Sequence, residues 1–319
     1  MSSPTETNGI FQTLLLQKSV KRHKEPFLFY LGHSIHEKKF RKETERCARS
    51  LLRWGIKPGS TVFLCLAQTP ELFYVLFSIW QLGGIAHLIP PSLPPKSVTD
   101  YFSAAKGELL FLSEVYAPRF CGILTSDSSV QTILVPLQQS LPLFHRRIRG
   151  ILPAPSSSIS YPRLLLWKEF LESGKSLCAA ESPPISSDAI AAVFYPPLPS
   201  ISDQSLSHAQ ICHAAKRLSL ALPSLPKGSR LLSQVRPWEA ESLSSMLLPF
   251  FMDLCLLLEP RSSHSDILQT ILTEKVDVLH CNRSFLLWVN EQELSSSTLS
   301  RLFVLHSDAE AQIEEVSPS

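Results

Sequence analysis

Short runs of almost continuous apolar residues alternate along this sequence with longer segments whose apolar residues recur at helical spacing. Residues 61–66, Thr-Val-Phe-Leu-Cys-Leu, are one such run, and a strand that is apolar at nearly every position is typical of a parallel sheet buried on both faces. In the preceding segment, Phe40, Thr44 and Leu51 fall on one face of a helix. Because this alternation occurs both before and after a weakly patterned stretch at 120–185, it predicts an α/β fold with two doubly wound α/β subdomains.

The pattern and its turn residues predict the individual elements. The predicted strands are 27–30, 61–66, 86–89, 108–112, 132–135, 189–195, 231–235, 255–259, 277–280 and 301–306. The first predicted helix follows a capping-box pattern at Ser34 and Glu37 and runs to Leu52. The other predicted helices are 70–82, 96–105, 164–171, 209–222, 239–252, 265–274 and 284–291. We expect a polar N-terminal segment at 1–24, a first subdomain with its linker at 25–185, a second subdomain at 186–309 and an acidic, frayed tail at 310–319.

The composition excludes several classes of function. An apolar fraction of 44 % and a charged fraction of 18 % are typical of a chain with a buried core, and a net charge of +2 gives no general attraction to nucleic acid or anionic membranes. The longest apolar stretch, 243–258, contains Pro249 and Asp253 and is shorter than the about 20 residues that span a bilayer. The seven cysteines form no C-x-x-C pair. We therefore expect a cytoplasmic protein with no nucleic-acid partner and no membrane span.

No metal site is predicted. His208 and His213 are five positions apart, and His280 adjoins Cys281. A metal site needs three or four converging ligands, and no third partner has a matching spacing. We expect these histidines to open a helix or to lie in the core.

The order of elements and their turn chemistry in the first 90 residues resemble a known family. The segments that carry this likeness are Ala48–Leu51, Trp54-Gly-Ile-Lys-Pro-Gly59, Val62–Leu66, Thr69-Pro-Glu-Leu72, Gln81-Leu-Gly-Gly84 and Ile89-Pro90. The chain resembles the adenylate-forming superfamily, which includes acyl-CoA synthetases, luciferases and the adenylation domains of peptide synthetases. The resemblance covers Phe27 to Ala309, which is the N-terminal part of such a protein without its C-terminal lid. It implies ATP-dependent joining of a carboxylate to AMP, followed by transfer of the acyl group to a thiol such as CoA.

The family's phosphate-binding loop is degenerate in this chain. The family reads close to Y-T-S-G-T-T-G-x-P-K-G, followed by S-H and a helix, and here the flanking strand and Ser207-His208 stand in place around Pro-Pro-Leu-Pro-Ser-Ile-Ser-Asp-Gln-Ser-Leu. Proline has no N–H to donate, and the segment has neither the glycines nor the lysine that hold phosphate. The whole chain has only 11 glycines, about half of ordinary usage. The resemblance assigns this non-functional nucleotide loop to Tyr195, Pro196, Pro197, Ser200, Ser202, Gln204, Ser207 and His208. We expect ATP and CoA not to be bound as cofactors.

Two further family motifs are altered. The family's P-x-x-H near the acyl pocket is Pro237-Trp-Glu-Ala240 here, and its glycine-rich adenine motif is Ser307-Asp308-Ala309. The motifs that the family places after this point, for ribose, Mg²⁺ and the lid lysine, have no counterpart. We therefore predict no catalytic residue, although the apolar face of Leu243, Met246, Leu247, Phe250 and Phe251 lies where the family has its acyl pocket.

Three functions stay open at this point. The first is a non-catalytic binding or scaffold module, a pseudoenzyme that binds an acyl or aryl carboxylate or a protein partner. The partner would use the surface that the family's C-terminal part normally covers. The second is the N-terminal portion of a split or truncated acyl-CoA synthetase that needs a second polypeptide. The third is a decaying gene product.

Overall fold

The structure is a computed structural model that describes residues 9–10, 14, 25–107, 109–126, 130–142, 163–195, 204–261, 263–292, 302–306 and 313–315. The chain divides into two compact units. The first contains Met1–Gln17 and Lys38–Gln210, and the second contains Lys18–Glu37 and Ile211–Ser319. Among the described residues, each unit contains one seven-stranded sheet. In the described ranges, no helix is long and apolar enough to cross a bilayer.

The elements follow one another as alternating strands and helices. The strands are β1 (Leu28–Tyr30), β2 (His33–Ile35), β3 (Thr61–Cys65), β4 (Ile85–Leu88), β5 (Leu109–Ser113), β6 (Gln131–Val135), β7 (Leu164–Leu166), β8 (Ile190–Phe194), β9 (Gln204–Ser207), β10 (Ser229–Ser233), β11 (Leu254–Leu258), β12 (Val278–Cys281), β13 (Phe303–His306) and β14 (Ile313–Glu315). The helices are α1 (Glu37–Arg53), α2 (Pro70–Gln81), α3 (Pro95–Ala105), α4 (Ala117–Ser126), α5 (Trp167–Ser173), α6 (His208–Ala221), α7 (Ser242–Phe251), α8 (His264–Glu274) and α9 (Arg283–Asn290).

The first unit has the strand order β7-β6-β5-β3-β4-β8-β9. Its neighbours pair in parallel except for β8 and β9, which are antiparallel. Every residue of α2 is buried, as expected for a helix that is apolar on all sides. Trp80 on this helix donates its Nε1–H to the carbonyl of Ala191 in β8 at 3.0 Å, so the helix is tied to the strand that precedes the predicted loop.

The second unit has the strand order β14-β13-β12-β10-β11-β1-β2. The five strands β13, β12, β10, β11 and β1 run parallel, and β14 and β2 are antiparallel additions at the two edges. A buried cluster around Leu257, Ile271, Phe285 and Val304 joins this sheet to α8 and α9. The predicted α/β fold with two doubly wound sheets is therefore confirmed.

The division of the chain differs from the expected boundaries. The hairpin of β1 and β2 pairs with β11, and so it belongs to the sheet of the second unit. Strand β8 pairs with β4, which places β8 and β9 in the first unit. Strand pairing between segments far apart in sequence decides both assignments, and a local apolar pattern carries no information about it.

Three local elements also differ. Ser34 does not cap α1, because it lies in β2 opposite Phe29, and the helix begins at Glu37. Residues 164–166 form β7 on the open edge of β6 instead of starting a helix. Ile313–Glu315 pairs with β13, where we expected a frayed tail, because main-chain hydrogen bonds form whatever the charge of the side chains.

Candidate functional site

The predicted nucleotide loop connects the two strands of an antiparallel hairpin. Strands β8 and β9 pair from Phe194↔Gln204 to Ile190↔Ser207, with a register shift between Ile190 and Ala192. This hairpin end lies at the carboxyl edge of β8, the edge where doubly wound sheets bind ligands. Of the predicted site residues, Pro196, Pro197, Ser200 and Ser202 lie outside the described residues. Tyr195, Gln204, Ser207 and His208 are described.

Tyr195 is held at the start of the loop by a buried hydrogen bond. Its hydroxyl lies 2.6 Å from Nδ1 of His87 in the neighbouring strand β4. The ring packs against Tyr101 with centroids 4.1 Å apart, and Phe63 lies in the same cluster. Burial lowers the pKa of His87 to about 4, so this imidazole is neutral near pH 7. One end of the loop is thus anchored in the core.

His87 is a residue of this site that the sequence reasoning missed. It lies in the short strand Ile-Ala-His-Leu, where a single imidazole interrupts an otherwise apolar run. That interruption was a usable signal, because a buried polar side chain needs a hydrogen-bond partner. Its partner, 108 residues away, could not be found from spacing.

The other end of the loop is fixed by a capping box at the start of α6. Ser207 Oγ accepts the N–H of Gln210 at 3.2 Å, and Gln210 Oε1 accepts the N–H of Ser207 at 2.8 Å. This is the Ser-x-x-Gln pattern, which satisfies two N–H groups reciprocally. The structure therefore places the predicted helix opening at Ser207-His208. Gln204 opens β9 and is exposed.

The first amides of α6 are already used by the protein itself. The N–H of His208 donates to the carbonyl of Ala189 at 3.1 Å, and that of Ala209 donates to the carbonyl of Ser187 at 2.7 Å. The N–H of Gln210 is taken by the capping serine. A helix start binds an anion through amides that have no intrahelical partner. This helix start offers none of its first three.

His208 is buried and accepts a hydrogen bond from the N-terminal segment. The backbone N–H of Ile10 donates to His208 Nδ1 at 3.2 Å. Burial lowers the pKa of His208 to about 4, so the ring is neutral and keeps the lone pair that accepts this bond. The ring centroid of Trp80 lies 6.4 Å away in an edge-on arrangement.

Comparison with known proteins now places the chain. The profile of the family described as AMP-binding enzyme matches residues 16–195, which is more than half of the sequence. The chain belongs to the AMP-binding enzyme family. Among curated proteins, one of the plipastatin synthase polypeptides of Bacillus subtilis is 27 % identical over 97 residues, which are 30 % of this chain and 4 % of that protein.

Solved structures of CoA ligases and synthetases share the fold. One is the anthranilate CoA ligase AuaEII in complex with anthranoyl-AMP, at a TM-score of 0.72 and 14 % identity over 92 % of this chain and 53 % of the ligase. Another is O-succinylbenzoate coenzyme A synthetase of Bacillus subtilis with ATP and magnesium, at a TM-score of 0.65 and 16 % identity over 92 % of this chain and 68 % of that protein. The chain thus spans about half the length of the first ligase. The resemblance to the N-terminal part of the adenylate-forming superfamily is confirmed.

The described residues of this AMP-binding family member do not fit a triphosphate at the hairpin and helix start. The three leading amides of α6 are occupied, and the described flanks, Tyr195 and 204–210, carry no lysine or arginine. Nor is there, within the described ranges, a group of three or more His, Cys, Asp or Glu side chains that could hold a metal ion. In the part of this site that the structure describes, the strand end and the helix start supply no cation, and the first three amides of α6 are already hydrogen-bonded to protein oxygens.

The residues predicted to line an acyl pocket are mostly core residues. Leu243, Met246 and Leu247 are at most 2 % exposed. Phe250 packs edge-on against Phe27 with centroids 4.7 Å apart. Only Phe250 and Phe251 are half-buried, so these two rings are the part of the predicted face that a ligand could reach.

The buried side of α7 is polar as well as apolar. Ser245 Oγ lies 3.2 Å from Ser233 Oγ, which lies 3.2 Å from Nδ1 of His280. Ser245 also lies within hydrogen-bond distance of the carbonyl of Ser242. These groups satisfy one another and join α7 to β10 and β12. His280 therefore has a core role, and Cys281 next to it is buried in the α8 and α9 cluster.

Proposed function

We propose that this chain is a member of the AMP-binding enzyme family that does not adenylate a carboxylate and acts as a binding or scaffold module. The observation that carries the proposal is the occupied start of α6 beside a connection that is rich in proline. Three leading amides of the helix donate to protein oxygens, and Pro196, Pro197 and Pro199 have no N–H to offer.

The charges in the segment 195–208 also argue against binding of MgATP. MgATP binding in this family depends on amides and a lysine that neutralise the phosphates, and the segment 195–208 has no lysine or arginine. Asp203 adds a negative charge. Bringing a triphosphate there would break existing hydrogen bonds without forming charge-assisted ones in return.

The proposed ligands are an acyl or aryl carboxylate, or a protein partner in the cytoplasm. A carboxylate would contact the half-buried rings of Phe250 and Phe251. A protein partner would dock on the surface that the C-terminal part of the related ligases covers. Nucleic acid is not a proposed partner, because the net charge is only +2.

The decisive experiment is calorimetry on the purified chain. MgATP and a non-hydrolysable acyl-AMP analogue are titrated into the protein, with the O-succinylbenzoate synthetase of Bacillus subtilis as the positive control. We expect no binding of MgATP at concentrations up to about 1 mM, a dissociation constant that corresponds to about 4 kcal/mol. Sub-millimolar MgATP binding would end the proposal.

A second candidate is the N-terminal portion of a split or truncated acyl-CoA synthetase that needs a second polypeptide, and the match of residues 16–195 to the AMP-binding enzyme family supports it. It predicts that a second polypeptide carrying the later family motifs restores acid-dependent pyrophosphate release, and that neither polypeptide releases it alone. If the mixture is inactive and the chain still unfolds cooperatively, the binding module stands. Aggregation without a cooperative transition would instead indicate a decaying gene product.

A further inference from the structure

The outward face of α1 presents only basic charges. The exposed charged residues of this helix are Lys38, Lys39, Lys42 and Arg53, and its three acidic residues are half-buried. At about 3.6 residues per turn, five basic residues fall within an arc of about 80° along the helix, opposite its buried residues. These five residues, the basic stripe, are Lys38, Lys42, Arg46, Arg49 and Arg53.

Two members of the basic stripe have an acidic neighbour on the same helix. Arg46 Nη1 lies 2.7 Å from Glu43 Oε2. Arg49 Nε lies 3.9 Å from Glu45 Oε1, but that oxygen also accepts the N–H of Ala180 at 2.8 Å. Ion pairs between partly exposed side chains three or four positions apart are weak and are screened by salt. The stripe therefore keeps most of its positive charge.

The other three members of the stripe are not compensated. Lys38, Lys42 and Arg53 are exposed, and none of them forms an ion pair with a residue that the structure describes. Like charges four positions apart on a helix destabilise it slightly. An anionic partner would relieve this repulsion, and complementary charge gives an interface its specificity and its orientation.

The spacing of the stripe fits a partner helix better than a strand. Its members are three or four positions apart, so the stripe from Lys38 to Arg53 is about 22 Å long at about 1.5 Å per residue. Carboxylates with the same spacing on a second helix can each meet one basic residue. Side chains on one face of a strand recur at intervals of about 6.7 Å, so five of them span about 27 Å and lose register by about 4 Å.

Acidic residues beside the stripe argue against a broad anionic surface such as a bilayer. The segment after α5 lies along α1, because Gly174 packs against the backbone of Ser50 and the N–H of Ala180 donates to a carboxylate of α1. In and near this segment, Glu172 and Glu181 are exposed. A bilayer would approach these carboxylates together with the stripe, whereas a single helix is narrow enough to contact the stripe alone.

We propose that the basic stripe of α1 is a docking surface for an acidic helix of a partner protein. The partner carries carboxylates three or four positions apart over about four turns. Exposed ion pairs are individually weak, so the complex depends on salt and is specific through its register rather than through one dominant contact. This goes beyond the proposed function, because the stripe can bind its partner whether or not the chain binds a nucleotide or a carboxylate.

The test uses the full-length chain and a designed helical peptide as the probe. The probe is an alanine- and glutamine-rich peptide of about 20 residues whose five glutamates repeat the spacing of the stripe. Binding is followed by the anisotropy of a neutral fluorophore. We expect saturable binding that weakens at least about tenfold between about 0.01 M and about 0.15 M ionic strength, because the Debye length falls from about 30 Å to about 8 Å.

A triple variant removes the uncompensated charges. Lys38→Gln/Lys42→Gln/Arg53→Gln keeps good helix-forming residues at exposed positions, so the fold should be retained. We expect this variant to bind the probe at least about tenfold more weakly than the native chain, because three ion pairs are lost. Circular dichroism and urea unfolding check that it is folded.

A matched control removes the same charge from other helices. Lys96 on α3 and Lys216 and Arg217 on α6 are exposed. The variant Lys96→Gln/Lys216→Gln/Arg217→Gln should bind the probe within about twofold of the native chain. A loss as large as that of the stripe variant would mean that the probe responds to net charge alone, and it would overturn the proposal.

Two further measurements need only the native chain, so they stand even if a variant fails to fold. A peptide of the same composition, with its glutamates distributed around the helix, should bind at least about fivefold more weakly than the probe. Equal binding of the two peptides, or no binding of the probe at about 0.01 M ionic strength, would overturn the proposal. Vesicles containing phosphatidylserine should not compete with the probe, and competition would assign the stripe to a lipid surface instead.

Discussion

The two sheets end in equivalent hairpins that are closed in very different ways. In the first unit the order β6-β5-β3-β4-β8-β9 matches β13-β12-β10-β11-β1-β2 in the second, and the last two strands of each are an antiparallel hairpin at one edge. The hairpin of β1 and β2 needs only Leu31 and Gly32 between its closing pair, Tyr30↔His33. The hairpin of β8 and β9 uses residues 195–203 between Phe194 and Gln204.

This difference separates the requirements of the fold from those of the family's chemistry. A two-residue turn with positive φ at both positions matches the twist of the strands, and Leu31 and Gly32 have φ values of 46° and 82°. The second unit shows that this edge closes without a long loop. The connection at residues 195–203 is therefore longer than the closing of this sheet edge requires. In this chain the connection is two residues shorter than the family's usual spacing, and it has neither the glycines nor the lysine of the family pattern.

The largest expected effect is a loss of stability in acid, which we expect from the first unit because it holds two buried histidines with lowered pKa values. Burial holds the pKa of His87 and His208, both in the first unit, at about 4, compared with about 6.5 in an unfolded chain. The unfolded state thus binds more protons between these values. The free energy of unfolding should be constant above about pH 7 and fall as the pH drops from about 6.5 to about 4, by up to about 3 kcal/mol for each histidine.

The measurement is urea unfolding at a series of pH values. His208→Gln keeps an acceptor for the Ile10 N–H but cannot be protonated, so it should reduce the pH dependence by about half. His213→Gln, at an exposed position on the same helix, is the matched control and should leave the profile unchanged. Equal stability of the native chain at pH 7.5 and pH 4.5 would contradict the prediction.

Removing the hydrogen bond between Tyr195 and His87 should cause the next largest loss of unfolding free energy. Tyr195→Phe removes the hydroxyl and leaves Nδ1 of the buried His87 without its tyrosine partner. An unsatisfied buried polar group costs about 1–3 kcal/mol, and we expect a loss in that range by chemical denaturation. Combining it with His87→Leu should recover part of the loss, because both polar partners are then gone. A double variant less stable than the sum of the single changes would argue against this pairing.

A change in the short turn between β1 and β2 should lower the free energy of unfolding by less. Gly32→Ala places a side chain at a φ of 82°, which costs about 1 kcal/mol because the left-handed region is unfavourable for residues with a Cβ. Gly122→Ala is the control, since a Cβ there meets nothing within 4 Å and the residue lies in α4. That change should be neutral or stabilising. A neutral Gly32→Ala would mean that the tight turn is not under the constraint inferred from its dihedral angles.

The two hairpins also show what could be predicted from the sequence. Strand β3 and helix α2 were predicted because their residues are almost all buried, and burial produces a readable apolar pattern. The three-residue strand β2 has no such pattern, and its place in the second sheet depends on pairing of β1 with Leu256 and its neighbours. For the site, the capping box at Ser207 and Gln210 was readable but overlooked. The contacts of Tyr195 with His87 and of Ile10 with His208 depend on the tertiary fold and could not be read from spacing.

The smallest expected effect comes from shortening the long connection to resemble the short one. Replacing residues 196–203 with Asn-Gly leaves a three-residue connection that includes Tyr195, a common hairpin length. Loop-closure entropy changes by only about 0.6 kcal/mol for each twofold change in length, so the unfolding free energy should stay within about 1 kcal/mol of the native value. The control moves the native eight residues into the Leu31-Gly32 turn, which should cost a similarly small amount. A loss of more than about 2 kcal/mol on shortening would mean that residues 196–203 make stabilising contacts of their own. In that case the long connection has been retained for the fold of the first unit, and its proline-rich sequence would need a structural explanation.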